Sequence, residues 1–131
     1  TQGATPLFFA SQKNHIEIVK LLLGAEGIEI NQPMNDCATP LAIASQLCHV
    51  ETVTILLGAE GIQVNTSTKE GATPLLMASQ NNDIEIVKLL LGVEGIEINQ
   101  PANNGGTPLA FAKQGKHKKI VRLLTAAGAT E

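Results

Sequence analysis

The tetrapeptide Ala4-Thr5-Pro6-Leu7 returns as Ala38-Thr39-Pro40-Leu41, as Ala72-Thr73-Pro74-Leu75 and, with one change, as Gly106-Thr107-Pro108-Leu109, so the Thr-Pro pair recurs every 34 residues. A fixed period of this length is the signature of a repeat array. Each unit of such an array buries its apolar face only against its neighbours, so about three units are needed for a stable core. Four Thr-Pro starts meet that requirement.

Each Thr-Pro reads as the start of a helix. A threonine hydroxyl accepts a hydrogen bond from a free N–H of the first turn. The proline after it arrives with a helical φ and has no N–H to leave unsatisfied. The short apolar stretches Leu7–Gln12, Leu41–Gln46 and Leu75–Gln80 follow, and these helices are expected to end near Asn14, Cys48 and Asn82. A second helix starts at Ile16, Val50 and Ile84. Ile18, Leu21 and Leu22 lie at i, i+3 and i+4, so they share one face. Glu17, Glu51 and Glu85 occupy the first turn, where the helix dipole favours an acid. Gly24, Gly58 and Gly92 close the second helix, and a short extended piece such as Ile28–Asn31 leads through a polar tip to the next Thr-Pro.

This pattern resembles the ankyrin repeat over nearly the whole chain. The family's Gly, any residue, Thr-Pro-Leu appears as Gly3-Ala4-Thr5-Pro6-Leu7. Its histidine before the second helix is matched by His15, His49 and His117, its Leu-Leu by Leu21-Leu22, and its Val/Ile-Asn by Ile30-Asn31. Asp83 departs from the histidine pattern, and Phe8, Ala42, Leu76 and Ala110 stand where the family usually has a histidine after Thr-Pro-Leu. The period is also one longer than the usual 33 or so. The resemblance implies an all-α, right-handed ankyrin-repeat solenoid of helix-turn-helix pairs with hairpin-like loops. The expected organisation is a single domain with repeats at about 1–34, 35–68, 69–102 and 103–131.

The resemblance also implies a concave face lined by the loop tips and the ends of the first helices. There the repeats differ most from one another, while the Ala-Thr-Pro-Leu and Leu-Leu positions hold nearly constant. Positions that do not vary serve packing, and those that vary are free to be read by a protein partner. The expected binding residues are Met34, Asn35, Asp36, Gln46, Leu47, Lys69, Glu70, Gln80, Asn81, Asn103 and Asn104. Hot spots favour Trp, Tyr and Arg, and this face has none. Loops of the form acidic or polar residue, Val or Ile, Asn are substrates of an asparaginyl hydroxylase in ankyrin-like proteins, which implies Asn31, Asn65 and Asn99 as modification candidates.

The two ends of the array differ. The first repeat carries Phe8, Phe9, Ile16 and Ile18 with no position turned polar, although terminal repeats normally need a polar outer face. The expectation is that an N-terminal cap is missing and that further repeats preceded Thr1, or that this apolar end packs on another molecule, end to end with a second copy included. In the fourth repeat Lys113 replaces a serine, Lys118 an aliphatic residue and Thr125 a leucine, as a C-terminal cap requires. This end is basic: residues 1–112 hold 4 basic and 11 acidic residues, residues 113–131 hold 5 and 1, and the chain is −3 overall. Anion binding at the cap is an alternative function. With no Trp, no Tyr and 3 Phe there is no stacking platform for single-stranded nucleic acid, so nucleic acid is not the expected partner.

Nothing in the chain points to catalysis. There is no phosphate loop, no serine in a nucleophile-elbow context and no His/Cys cluster at zinc spacing. Glu26, Glu60 and Glu94 align across the loops, but neighbouring repeats stand ~8–10 Å apart and a Ca²⁺ needs oxygens at ~2.3–2.6 Å. No enzyme activity, metal or cofactor is expected. His15 and His49 are read as structural residues holding the turn between helices. Cys37 and Cys48 bracket one helix, whose ends are too far apart for a disulfide at ~1.5 Å rise per residue. They are expected to be free thiols of an intracellular protein, cytoplasmic or nuclear. No apolar run approaches the ~18 residues of a membrane span. The reading is a monomeric interaction scaffold. Its rival is a structural spacer, or an excised or engineered fragment with no partner of its own.

Overall fold

A computed structural model describes residues 3–131. The chain forms four helix pairs: α1 (Pro6–Gln12) with α2 (Ile16–Leu23), α3 (Pro40–Gln46) with α4 (Val50–Leu57), α5 (Pro74–Gln80) with α6 (Ile84–Leu91), and α7 (Pro108–Gln114) with α8 (Lys118–Ala126). The odd-numbered helices stack in one row and the even-numbered ones in a second row behind them. All regular structure among the described residues is helical.

The expected starts hold in all four repeats. Thr5, Thr39, Thr73 and Thr107 take extended backbone and their hydroxyls accept from the N–H of Phe8, Ala42, Leu76 and Ala110 at 3.1, 3.1, 3.2 and 3.1 Å. The turn between the paired helices closes in the left-handed region at Asn14, Cys48, Asn82 and Lys116, with φ of 57°, 62°, 58° and 59°. Asn bears this conformation well because its short amide can bond locally. Gly24, Gly58 and Gly92 do end the second helices, but with ordinary right-handed backbone. The positive φ falls three residues later, on Gly27, Gly61 and Gly95.

The core runs unbroken along the stack. Leu7, Leu41, Leu75 and Leu109 share it with Ala10, Ala44, Ala78 and Ala112, whose small side chains let the first-row helices approach closely. Behind them lie Val19, Val53, Leu56, Ile86, Val87, Leu90, Ile120 and Leu124. Burying such a side chain is worth ~1.5–3 kcal/mol. The loops add Val64 and half-buried Ile28, Ile30, Ile62, Ile96 and Ile98.

In the first pair the apolar face shared by Ile18 and Leu21 lies open. Ile18 is 46% and Leu21 75% exposed, while Val19, outside that face, is fully buried. The reason is directional. Val19, Val53 and Val87 are fully buried alike, so they need only their own pair and the one that follows. The counterparts of Ile18 are Thr52, Ile86 and Ile120, all fully buried because a preceding pair covers them. The Thr52 hydroxyl shows the direction by donating back to Asn14 Oδ1 at 2.7 Å. Phe9 is exposed in the same way, and Pro6 is exposed whereas Pro40, Pro74 and Pro108 are buried. At the other end Lys113, Lys118 and Thr125 are all exposed.

Candidate interaction surface

The loop tips are built identically. Met34, Thr68 and Ala102 donate their N–H to the carbonyls of Ala38, Ala72 and Gly106 at 2.8, 3.0 and 2.8 Å, and Cys37, Gly71 and Gly105 donate back to Met34, Thr68 and Ala102. Cys37, Gly71 and Gly105 all take positive φ, which is the arrangement of a tight hairpin closed by a left-handed residue. A side chain locks each tip: Asp36 Oδ1 accepts from Ala38 N, Thr68 Oγ1 from Ala72 N and Asn104 Oδ1 from Gly106 N. Successive tips are joined, since Lys69 N–H donates to Asp36 O at 3.1 Å and Asn103 N–H to Glu70 O at 2.9 Å. At Gly71 the approach is close enough that a Cβ would lie 2.7 Å from Asn103 N.

Five of the expected binding residues meet around one groove of about 450 Å³: Lys69, Glu70, Gln80, Asn103 and Asn104. Its apolar part comes from Ala72, Leu76, Ala102 and Phe111, none of them among the sequence-predicted residues. Phe111 also lines the adjoining hollow with Asn104, Gly106, Ala110 and Gln114, so its ring sits at the centre of this end of the surface. A sequence signal for it exists. Gly106 stands where the other repeats have Ala4, Ala38 and Ala72, and a Cβ there would come within 2.6 Å of the Phe111 ring. The lost methyl makes room for the larger ring.

The other expected residues lie elsewhere or have structural duties. Met34, Asn35 and Asp36 form the first tip, away from this groove. Gln46 and Leu47 are exposed at the end of α3. Asn81 is a strut, its Nδ2 donating to Gln46 O at 2.8 Å. The Asn103 side chain donates to Lys69 O, so it holds the groove wall while lining it.

The rings of His49 and His117 act across repeats, where a role in the turn of its own pair is expected of His49. His49 Nε2 lies 3.0 Å from Gln12 O and His117 Nε2 3.1 Å from Gln80 O. Asp83, in the histidine position of the third repeat, instead caps α6 by accepting from Ile86 N at 3.0 Å.

Asn31, Asn65 and Asn99 are staples between loops. Asn31 donates to Gly61 O and accepts from Gln63 N, both at 2.9 Å. Asn65 repeats this with Gly95 O and Glu97 N, and Asn99 accepts from Thr130 N. A modifying enzyme would have to lift each loop from its neighbour to reach the side chain.

Cys37 and Cys48 are free and exposed. Burial, then a hydrogen bond to Asp83 and that carboxylate's charge, push the Cys48 thiol above its ordinary range. Among the described residues no helix is long and apolar enough to cross a membrane, and no cluster of metal-ligating side chains forms. No curated protein matches the chain. A family model described as ankyrin repeats, three copies long, matches residues 1–68 and again 60–130, which together take in all four helix pairs. The chain belongs to the ankyrin repeat family.

Proposed function

We propose that this chain is a protein-interaction module that holds an extended peptide segment of a partner in the groove between its second and third loop tips. Ankyrin repeats are generally protein–protein interaction modules, and the family is typically non-enzymatic. The observation that carries the finer reading is the convergence of Lys69, Glu70, Gln80 and Asn104 on an apolar floor made by Leu76 and Phe111. Apolar burial at the floor supplies affinity, while the amides and opposite charges at the rim fix orientation and partner choice. A rigid stack offers this surface with little ordering cost on binding. The free thiols support an intracellular setting.

Selection of a displayed random-peptide library on the wild type tests the reading. Enriched peptides are then compared on a Lys69→Ala/Glu70→Ala/Asn104→Ala variant whose unfolding midpoint matches the wild type. Loss of about tenfold or more in affinity, 1.4 kcal/mol, places the peptide in the groove. Peptides that bind both proteins equally remove the groove as the working surface. A selection that enriches nothing favours a spacer role.

A further inference from the structure

The C-terminal face of the stack, the side that a further helix pair would cover, carries a second hollow. It has a volume of about 400 Å³ and is lined by Lys113, Lys116, Lys118 and Arg122 around Val121. Only one of these cations has an acidic partner among the described residues: Lys113 Nζ lies 3.4 Å from a Glu131 carboxylate oxygen. The first turn of α8 holds no acid, whereas α2, α4 and α6 begin with Glu17, Glu51 and Glu85. Lys118 and Lys119 therefore add charge at the end of the helix that is already positive. Val121 occupies the position of Val19, Val53 and Val87, which are fully buried by the pair that follows them, and here it is left half-buried beneath the cations.

We propose that this face docks a short acidic protein segment, with an apolar side chain seated on Val121 and flanking carboxylates paired to Lys113, Lys118 and Arg122. Charge complementarity chooses the occupant. Residues 1–112 are net −7 and residues 113–131 net +4. A long polyanion such as nucleic acid would run off this patch onto an acidic body that repels it, whereas a short acidic segment ends within the patch. The apolar centre points the same way, because a phosphate backbone has nothing to place on Val121. The carboxylate of Glu131 already pairs with Lys113, so the face accepts the group the segment would bring.

The test is fluorescence anisotropy with a labelled peptide of four Glu or Asp residues on each side of one Leu. Its arms are the wild type, a Lys118→Glu/Arg122→Glu variant and the groove variant Lys69→Ala/Glu70→Ala. The expected result is binding by the wild type and the groove variant that weakens as salt rises, and a loss of about tenfold or more in the charge-reversed variant. Replacing the peptide's Leu by Ser weakens binding as well. If the charge-reversed variant does not reach the wild-type unfolding midpoint, Lys118→Gln/Arg122→Gln takes its place. No binding at low salt, indifference to the charge change, indifference to the Leu→Ser change, or equal binding of an oligothymidine of matched charge each overturns the proposal. The groove variant separates this site from the groove, so either reading can fail alone.

Discussion

Asn81 Nδ2 donates to the Gln46 carbonyl at 2.8 Å, at the one joint of the stack where the following repeat has no histidine before its second helix. At the other two joints His49 and His117 reach Gln12 O and Gln80 O. Each repeat thus ties down the same carbonyl of the repeat before it, from either of two positions. Asp83 is thereby released to cap α6. Asn81→Ala is expected to cost about 1 kcal/mol, the net worth of one hydrogen bond. Lys13→Ala, at the equivalent exposed position of the first repeat, changes stability little. Urea unfolding with an unchanged slope measures both, and equal midpoints would show the strut to be idle.

Ile18 and Ile86 are the same residue in the same register, 46% and 0% exposed. Ile86→Ala is expected to cost about 2–4 kcal/mol through lost burial and a cavity. Ile18→Ala should cost under about 1 kcal/mol, since little burial is lost. Similar losses at both sites would mean that the exposed face of the first repeat is covered in solution.

Asn65 joins two loops through Gly95 O and Glu97 N. Asn65→Ala removes both bonds and leaves their backbone partners to water, so a cost of about 1–2 kcal/mol is expected. Hydrogen exchange at Glu97 N–H should speed up in step, which separates a loosened loop from a general loss of stability.

Cys37 holds a φ of 68° at the place where later tips have Gly71 and Gly105. A left-handed residue with a Cβ costs ~1–2 kcal/mol, and glycine loses part of that gain to its freer unfolded chain. Cys37→Gly should therefore stabilise the protein by about 0.5–1 kcal/mol. A lower midpoint would show that the Cys37 side chain contributes packing that outweighs its backbone strain.

The Cys48 thiol is raised by burial and by the hydrogen bond and charge of Asp83. The thiolate is the reactive form, so Asp83→Asn in a Cys37→Ser background should speed iodoacetamide labelling at mildly alkaline pH. Asn remains a good N-cap, so the midpoint should hold near neutral pH. The sign for stability follows from linkage. The native state keeps the Cys48 proton to higher pH than the unfolded chain, so this contribution is complete below the ordinary thiol range and is lost as pH rises through the raised value. Asp83→Asn should flatten that alkaline fall, and an unchanged labelling rate would show that Asp83 does not govern the thiol.

The helix starts, the helix ends near Asn14, Cys48 and Asn82 and the family are legible in the sequence. Each depends on chemistry local to a few residues: a hydroxyl capping an N–H, an amide tolerating positive φ. What lay beyond reach was contact across a repeat, because spacing names a helix's faces without saying which neighbour covers them. Spacing does not distinguish Ile18, open in the first pair, from its buried counterpart Ile86, and it leaves no mark of the bonds that His49, His117 and Asn81 make to the preceding repeat. The groove shows the same divide. Its polar rim was readable from the variable tips, but its floor at Leu76 and Phe111 exists only where two repeats meet, at a position where Gly106 has given up a methyl group to the ring.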